Sequence, residues 1–140
     1  MQFIKKSVPG LQEEISYYAN ELIGSFGAAV RKAPLAIDTT TIGTKLQNLA
    51  SEAGRQKIDL LTKGNRKLAK IYAQEIDALV QLAEIFYGVE LEKLGSGKAR
   101  KIDALCRVLI AFAVEAGKLF KEQAAEKQLM PRYSGAGAKI

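Results

Sequence analysis

With 140 residues, 48% of them hydrophobic and 26% charged, the chain has the size and composition of one globular domain that buries a core without covalent staples. Its 21 Lys and Arg against 15 Asp and Glu favour an anionic partner, and the absence of histidine removes Ser/His/Asp, Cys/His and Glu-x-x-His chemistry. The single cysteine, Cys106, excludes an intrachain disulfide and a Cys/His zinc site, so the reading includes no metal, no cofactor and no catalytic residue.

The first element in chain order is a helix from about Ser7 to Arg31. Leu11, Ile15, Tyr18, Leu22, Phe26 and Ala29 step by three or four and form one stripe. Ser7 is placed to cap it, Pro9 falls in the first turn, and Pro34 ends it. Asp38 and the run Thr39, Thr40 and Thr41 offer caps for a second helix, whose stripe is Ile42, Leu46, Leu49 and Ala53 and which ends near Thr62. Lys63, Gly64 and Asn65 read as a glycine stop followed by an Asn cap, with one continuous glycine-bearing helix as the alternative.

A third helix carries Leu68, Tyr72, Ile76, Leu79, Leu82, Ala83 and Phe86 and extends toward Leu94. Gly95, Ser96 and Gly97 precede a fourth, striped by Ile102, Leu105, Leu109, Phe112, Ala116 and Leu119. Cys106, Val108, Ile110, Ala111, Ala113 and Val114 make its middle apolar nearly all round, the mark of a central helix or of one that also packs on another chain. The pattern fades near Gln128, and Pro131, Gly135 and Gly137 predict a short extended tail. The expected fold is all-α: an antiparallel four-helix bundle over 1–128, with a C-terminal tail over 129–140.

The longest uncharged run, Leu22 to Val30, is far short of the roughly 20 residues a bilayer span needs, and the residues after Lys5 and Lys6 lack a leader's apolar core. The expectation is therefore a cytoplasmic protein without a membrane partner.

Positive charge is concentrated. Arg55, Lys57, Lys63, Arg66, Lys67 and Lys70 stand against the single acid Asp59, and Lys98, Arg100, Lys101 and Arg107 form a second cluster. Lys63, Arg66, Lys67 and Lys70 follow a spacing of three, four and seven, which would place them on one helical face, with Tyr72 near enough to add a flat apolar contact. Such a surface suits the phosphates of RNA or single-stranded DNA; the competing reading is a solvated charged face. In an up-down bundle the two clusters need not be continuous. From Glu75 to Glu92 the charge reverses, with Glu75, Asp77, Glu84, Glu90 and Glu92 and no base. Gly95, Ser96, Gly97 and Lys98 suggest a phosphate loop, but Glu92 and Ala99 occupy positions where that motif needs Gly and Ser or Thr, which leaves an inter-helix turn. Cys106, flanked by Leu105, reads as a buried and inert thiol.

Arg31, Lys32, Pro34, Ile37, Ile42, Gly43 and Leu46 follow a basic-Pro-Ile-Gly-Leu order across a helix junction. This order resembles the corresponding junction in the small helical subunits of CRISPR effector ribonucleoprotein complexes. The resemblance implies a non-catalytic subunit of antiviral defence, present in several copies beside sister subunits and guiding a strand over lysines and arginines. The helical cadence of Lys70 to Phe86 and Ile102 to Leu119 is also similar to the ring-forming, nucleic-acid-binding accessory protein of diversity-generating retroelements. A scaffold or adaptor that binds only protein is the third expectation, supported by the apolar fourth helix.

Overall fold

The computed structural model describes residues 6–26, 39–87 and 96–138, with side chains to Glu126. Four helices account for them: α1 Val8–Phe26, α2 Thr39–Thr62, α3 Arg66–Tyr87 and α4 Ser96–Ala138. The expected all-α bundle is the fold observed. Phe26, Ala29, Arg31, Lys32, Pro34 and Ile37, together with the expected extension of the third helix past Gly88, lie outside the described side chains.

Local chemistry sets the boundaries. Ser7 Oγ accepts a hydrogen bond from the Gly10 amide at 3.0 Å, satisfying one of the donors that a helix start leaves free. At the other end of α2, the Asn65 amide donates to the Leu60 carbonyl (2.8 Å) and the Gly64 amide to the Leu61 carbonyl (3.0 Å), the paired bonds of a Schellman stop. Gly64 supplies the positive φ of 79° that this stop requires. Asn65 Oδ1 then accepts from the Leu68 amide at 3.3 Å, capping α3, so the turn reading holds over the continuous helix.

The core positions of α2 repeat with heptad spacing through Ile42, Leu46, Leu49, Ala53, Gln56 and Leu60, and those of α3 through Leu68, Tyr72, Glu75, Leu79, Leu82 and Phe86. In α4 the buried row is Ala99, Ile102, Cys106, Leu109, Ala113 and Ala116. In α1 it is Leu11, Ile15, Ala19 and Leu22, so the stripe passes through Ala19 and leaves Tyr18 half-buried at its edge.

Gln56 pairing with Tyr72, Asn65 with Gln123 and Lys45 with Glu14 fix antiparallel neighbours. The helices pack as two close pairs, α1 with α4 and α2 with α3; α3 and α4 join the pairs on one side, while α1 and α2 meet only thinly. Across this seam runs a buried polar layer. Gln12 Nε2 donates to Glu75 Oε1 at 3.1 Å, Tyr72 Oη donates to Gln56 Oε1 at 2.5 Å, and Gln56 Nε2 donates to the Lys6 and Ser7 carbonyls at 2.8 and 3.2 Å.

α4 is the longest helix, and its outer side keeps Val108 41% and Val114 62% exposed although the helix packs on both α1 and α3. One expectation is corrected here: backbone 129–138 is helical rather than extended. Once a helix is nucleated, each further residue adds a bond, and Pro131 removes one donor without ending it.

Candidate nucleic-acid interface

The ten bases singled out in the sequence separate into distinct places. On α2, Arg55 and Lys57 are two residues apart, about 200° around the helix, and so lie on opposite flanks. Arg55 pairs with the largely buried Glu52 and borders a groove between α1 and α2. Lys63 belongs to the turn, not to α3, and its ammonium lies 3.1 Å from Asp59. The expected four-residue basic face is therefore corrected to three residues, because the glycine stop breaks the helical register between Lys63 and Arg66.

Arg66, Lys67 and Lys70 are exposed on the first two turns of α3 and make no ion pair among the described residues. Lys98, Arg100 and Lys101 occupy the first turns of α4 in the same condition, and Arg107 pairs with Asp103 at 2.9 Å. The antiparallel arrangement puts Lys118 beside Lys67 and Lys70. From Lys101 to Lys118 the helix rises by about 25 Å, at roughly 1.5 Å per residue, so the two clusters stand at opposite ends of the molecule.

The α3 end is enlarged by residues the sequence reading missed. Lys118 lines a groove between α3 and α4 with Lys67, Lys70, Ile71, Gln74 and Phe112, and Lys121 is exposed one turn farther along. Glu115 and Glu122 border the α4 side of this groove, so its positive character is strongest toward α3 and the turn. The helical spacing of Lys118 and Lys121 was readable, but their neighbours were not, since proximity to Lys70 depends on how α4 folds back.

Electrostatically both clusters run against helix preference. Neither α3 nor α4 has an acid in its first turn, and each carries bases there, on the positive pole of its own macrodipole. Cations at that pole raise the local potential instead of offsetting it, at a cost of a few tenths of a kcal/mol each. An anion bound there would relieve both.

Two further expectations are corrected. Tyr72 is fully buried with its hydroxyl on Gln56, so it presents no face to a base. Glu75 is also fully buried, so the acidic stretch contributes only Asp77 and Glu84 to the described surface. Both follow from the α3 core row, in which each occupies an inward position. Cys106 is buried as expected, and burial pushes its thiol up to about 12. No described helix is long and apolar enough to cross a membrane. Comparison of the chain with protein-family models, with curated proteins and with solved structures finds no match.

Proposed function

We propose that the chain is a non-catalytic subunit that holds an RNA or single-stranded DNA backbone on the α3 end of the bundle, through Arg66, Lys67, Lys70, Lys118 and Lys121. The observation that carries this reading is that three bases without ion partners among the described residues sit on the positive pole of α3, with Lys118 of α4 beside them and Lys121 exposed one turn farther along. A merely solvated face gains nothing from such placement; a phosphate-binding face does. The reading fits the resemblance to small subunits of CRISPR effector complexes, in which several cytoplasmic copies would line a strand. The outward Val108 and Val114 on α4 supply apolar surface for a sister subunit.

The test is fluorescence anisotropy with a labelled 30-nucleotide strand over a range of salt. Replacing Arg66, Lys67, Lys70 and Lys118 by Gln keeps good helix formers and removes four charges. Affinity should fall at low salt, and the slope of log affinity against log salt should flatten by up to about 0.7 per lost contact. The matching Lys98, Arg100 and Lys101 variant should change both less. Wild-type affinity in the first variant would overturn the reading, and assembly lost with strand binding intact would favour the protein-only scaffold.

A further inference from the structure

The buried layer between the two helix pairs holds a titratable group that the proposed interface does not use. Glu75 has 0% of its surface exposed, and Gln12, which faces it from α1, is also buried. One bond joins them, from Gln12 Nε2 to Glu75 Oε1. Among the described residues, the remaining oxygens of the two side chains, Gln12 Oε1 and Glu75 Oε2, are both buried without a partner. Two acceptors left over from one amide and one carboxyl have a simple resolution. A proton on Glu75 Oε2 turns that oxygen into a donor for Gln12 Oε1 and closes a two-bond ring.

We propose that Glu75 carries a proton in the closed bundle and, paired with Gln12, latches α1 to α3, and that release of this proton to water loosens α1 along its thin seam with α2. The surroundings offer an ionised Glu75 no compensation. On α1, Glu14 is engaged with Lys6 and Lys45. On α2, Glu52 is paired with Arg55, while Gln56 is committed to Tyr72 and to the Lys6 and Ser7 carbonyls. On α3, burial pushes the Tyr72 phenol up to about 12, so it stays neutral. The buried row of α4 contributes Leu109, Ala113, Ala116 and the equally raised Cys106 thiol. Burial pushes the Glu75 carboxyl up to about 7, against the opposing pull of its Gln12 bond.

The location gives the latch its effect. Beside the apolar row that α1 contributes to the common core, its ties to the α2–α3 pair are polar contacts, namely Gln12 to Glu75, Gln56 to the chain before α1, and Glu14 to Lys45. A buried carboxylate without a cation is costly enough to break one of these few ties. With the folded carboxyl raised above its ordinary 4.5, stability is full at acidic pH. It declines as pH climbs through the interval up to about 7 and levels off above that.

Carbon-13 NMR of the Glu75 carboxyl, assigned by difference with Glu75→Gln, reads the proton directly and should show a midpoint near neutrality. Amide exchange expressed as protection factors should show α1 protection falling between pH 5.5 and 8.5 in the wild type. The fall over that range should be up to about 30-fold, since the decline of roughly tenfold per pH unit runs only from 5.5 to about 7. In Glu75→Gln, whose amide also donates to Gln12 Oε1, protection should stay level. A carboxyl midpoint near 4.5 would overturn the proposal even if the variant failed to fold. So would α1 protection with the same pH profile in both proteins, or equal loss in all four helices.

Discussion

Asn65 is the residue on which the α2–α3 turn and its attachment to α4 both depend, so replacing it should cost more than an ordinary cap. Its Oδ1 accepts from the Leu68 amide at 3.3 Å and from Gln123 Nε2 at 3.0 Å, and its Nδ2 donates to Gln123 Oε1 at 2.8 Å. Asn65→Ala removes all three. Loss of the cap costs about 1 kcal/mol, and each partly buried amide bond roughly 0.5–1 kcal/mol net, for a total of about 2–3 kcal/mol. For a domain of this size that lowers Tm by roughly 6–10 °C, read by circular dichroism with urea titrations alongside. Gln123→Ala leaves the cap in place and should cost about 1–2 kcal/mol. The double variant should cost less than the sum by about 1 kcal/mol, since the same two bonds are lost in each single change. Asn65→Asp keeps the acceptor at the positive pole of α3 and gives up only the donor, so it should stay within about 1 kcal/mol of wild type. An Asn65→Ala cost under about 0.5 kcal/mol, or additivity of Asn65→Ala with Gln123→Ala, would refute the claim that this turn is fastened to α4.

The glycines divide by geometry. Gly64→Ala should destabilise by about 1 kcal/mol, because an L side chain is strained at the positive φ. Gly54→Ala and Gly117→Ala should each stabilise by up to about 1 kcal/mol, since nothing lies within 4 Å of the added Cβ and helix propensity improves; denaturant midpoints at constant m distinguish the two classes. Cys106 should be unreactive toward a thiol reagent at pH 8 in the native protein and react fully after unfolding, because burial holds the thiol neutral. Rapid native labelling would show that the middle of α4 opens without global unfolding.

Much of the fold could be read locally. The Ser7 cap, the Gly64 stop, the Asn65 cap and the apolar row of α2 each depend on residues within a turn or two, where spacing alone carries the information, whereas the α4 row runs through Cys106 and Ala113 and leaves the expected Leu105, Phe112 and Leu119 partly buried. The same rows contained a signal that an apolar reading passes over. Gln56 stands in register with Ile42, Leu46, Leu49, Ala53 and Leu60, and Glu75 with Leu68, Tyr72, Leu79, Leu82 and Phe86. A polar residue in a core register is where a bundle fixes its alignment, and reading Glu75 as surface charge overlooked that. Lys63 failed in the opposite way: its spacing to Arg66 looked helical, but the glycine stop that the same stretch encodes interrupts the phase.

The candidate interface was legible only in part, since Arg66, Lys67 and Lys70 stand out as a charge cluster whereas Lys118 and Lys121 are some fifty residues away in the chain. Sequence by itself determined the four helices, the inward row of α2 and the concentration of base at two helix starts, because periodicity, capping and charge count are local properties. Tertiary structure alone decided that Lys118 faces Lys67 and Lys70, that Gln12 meets Glu75, and that Gln56 meets Tyr72. Those meetings depend on how far each antiparallel helix slides and rotates against the next, which close packing of the whole core fixes and no single helix encodes.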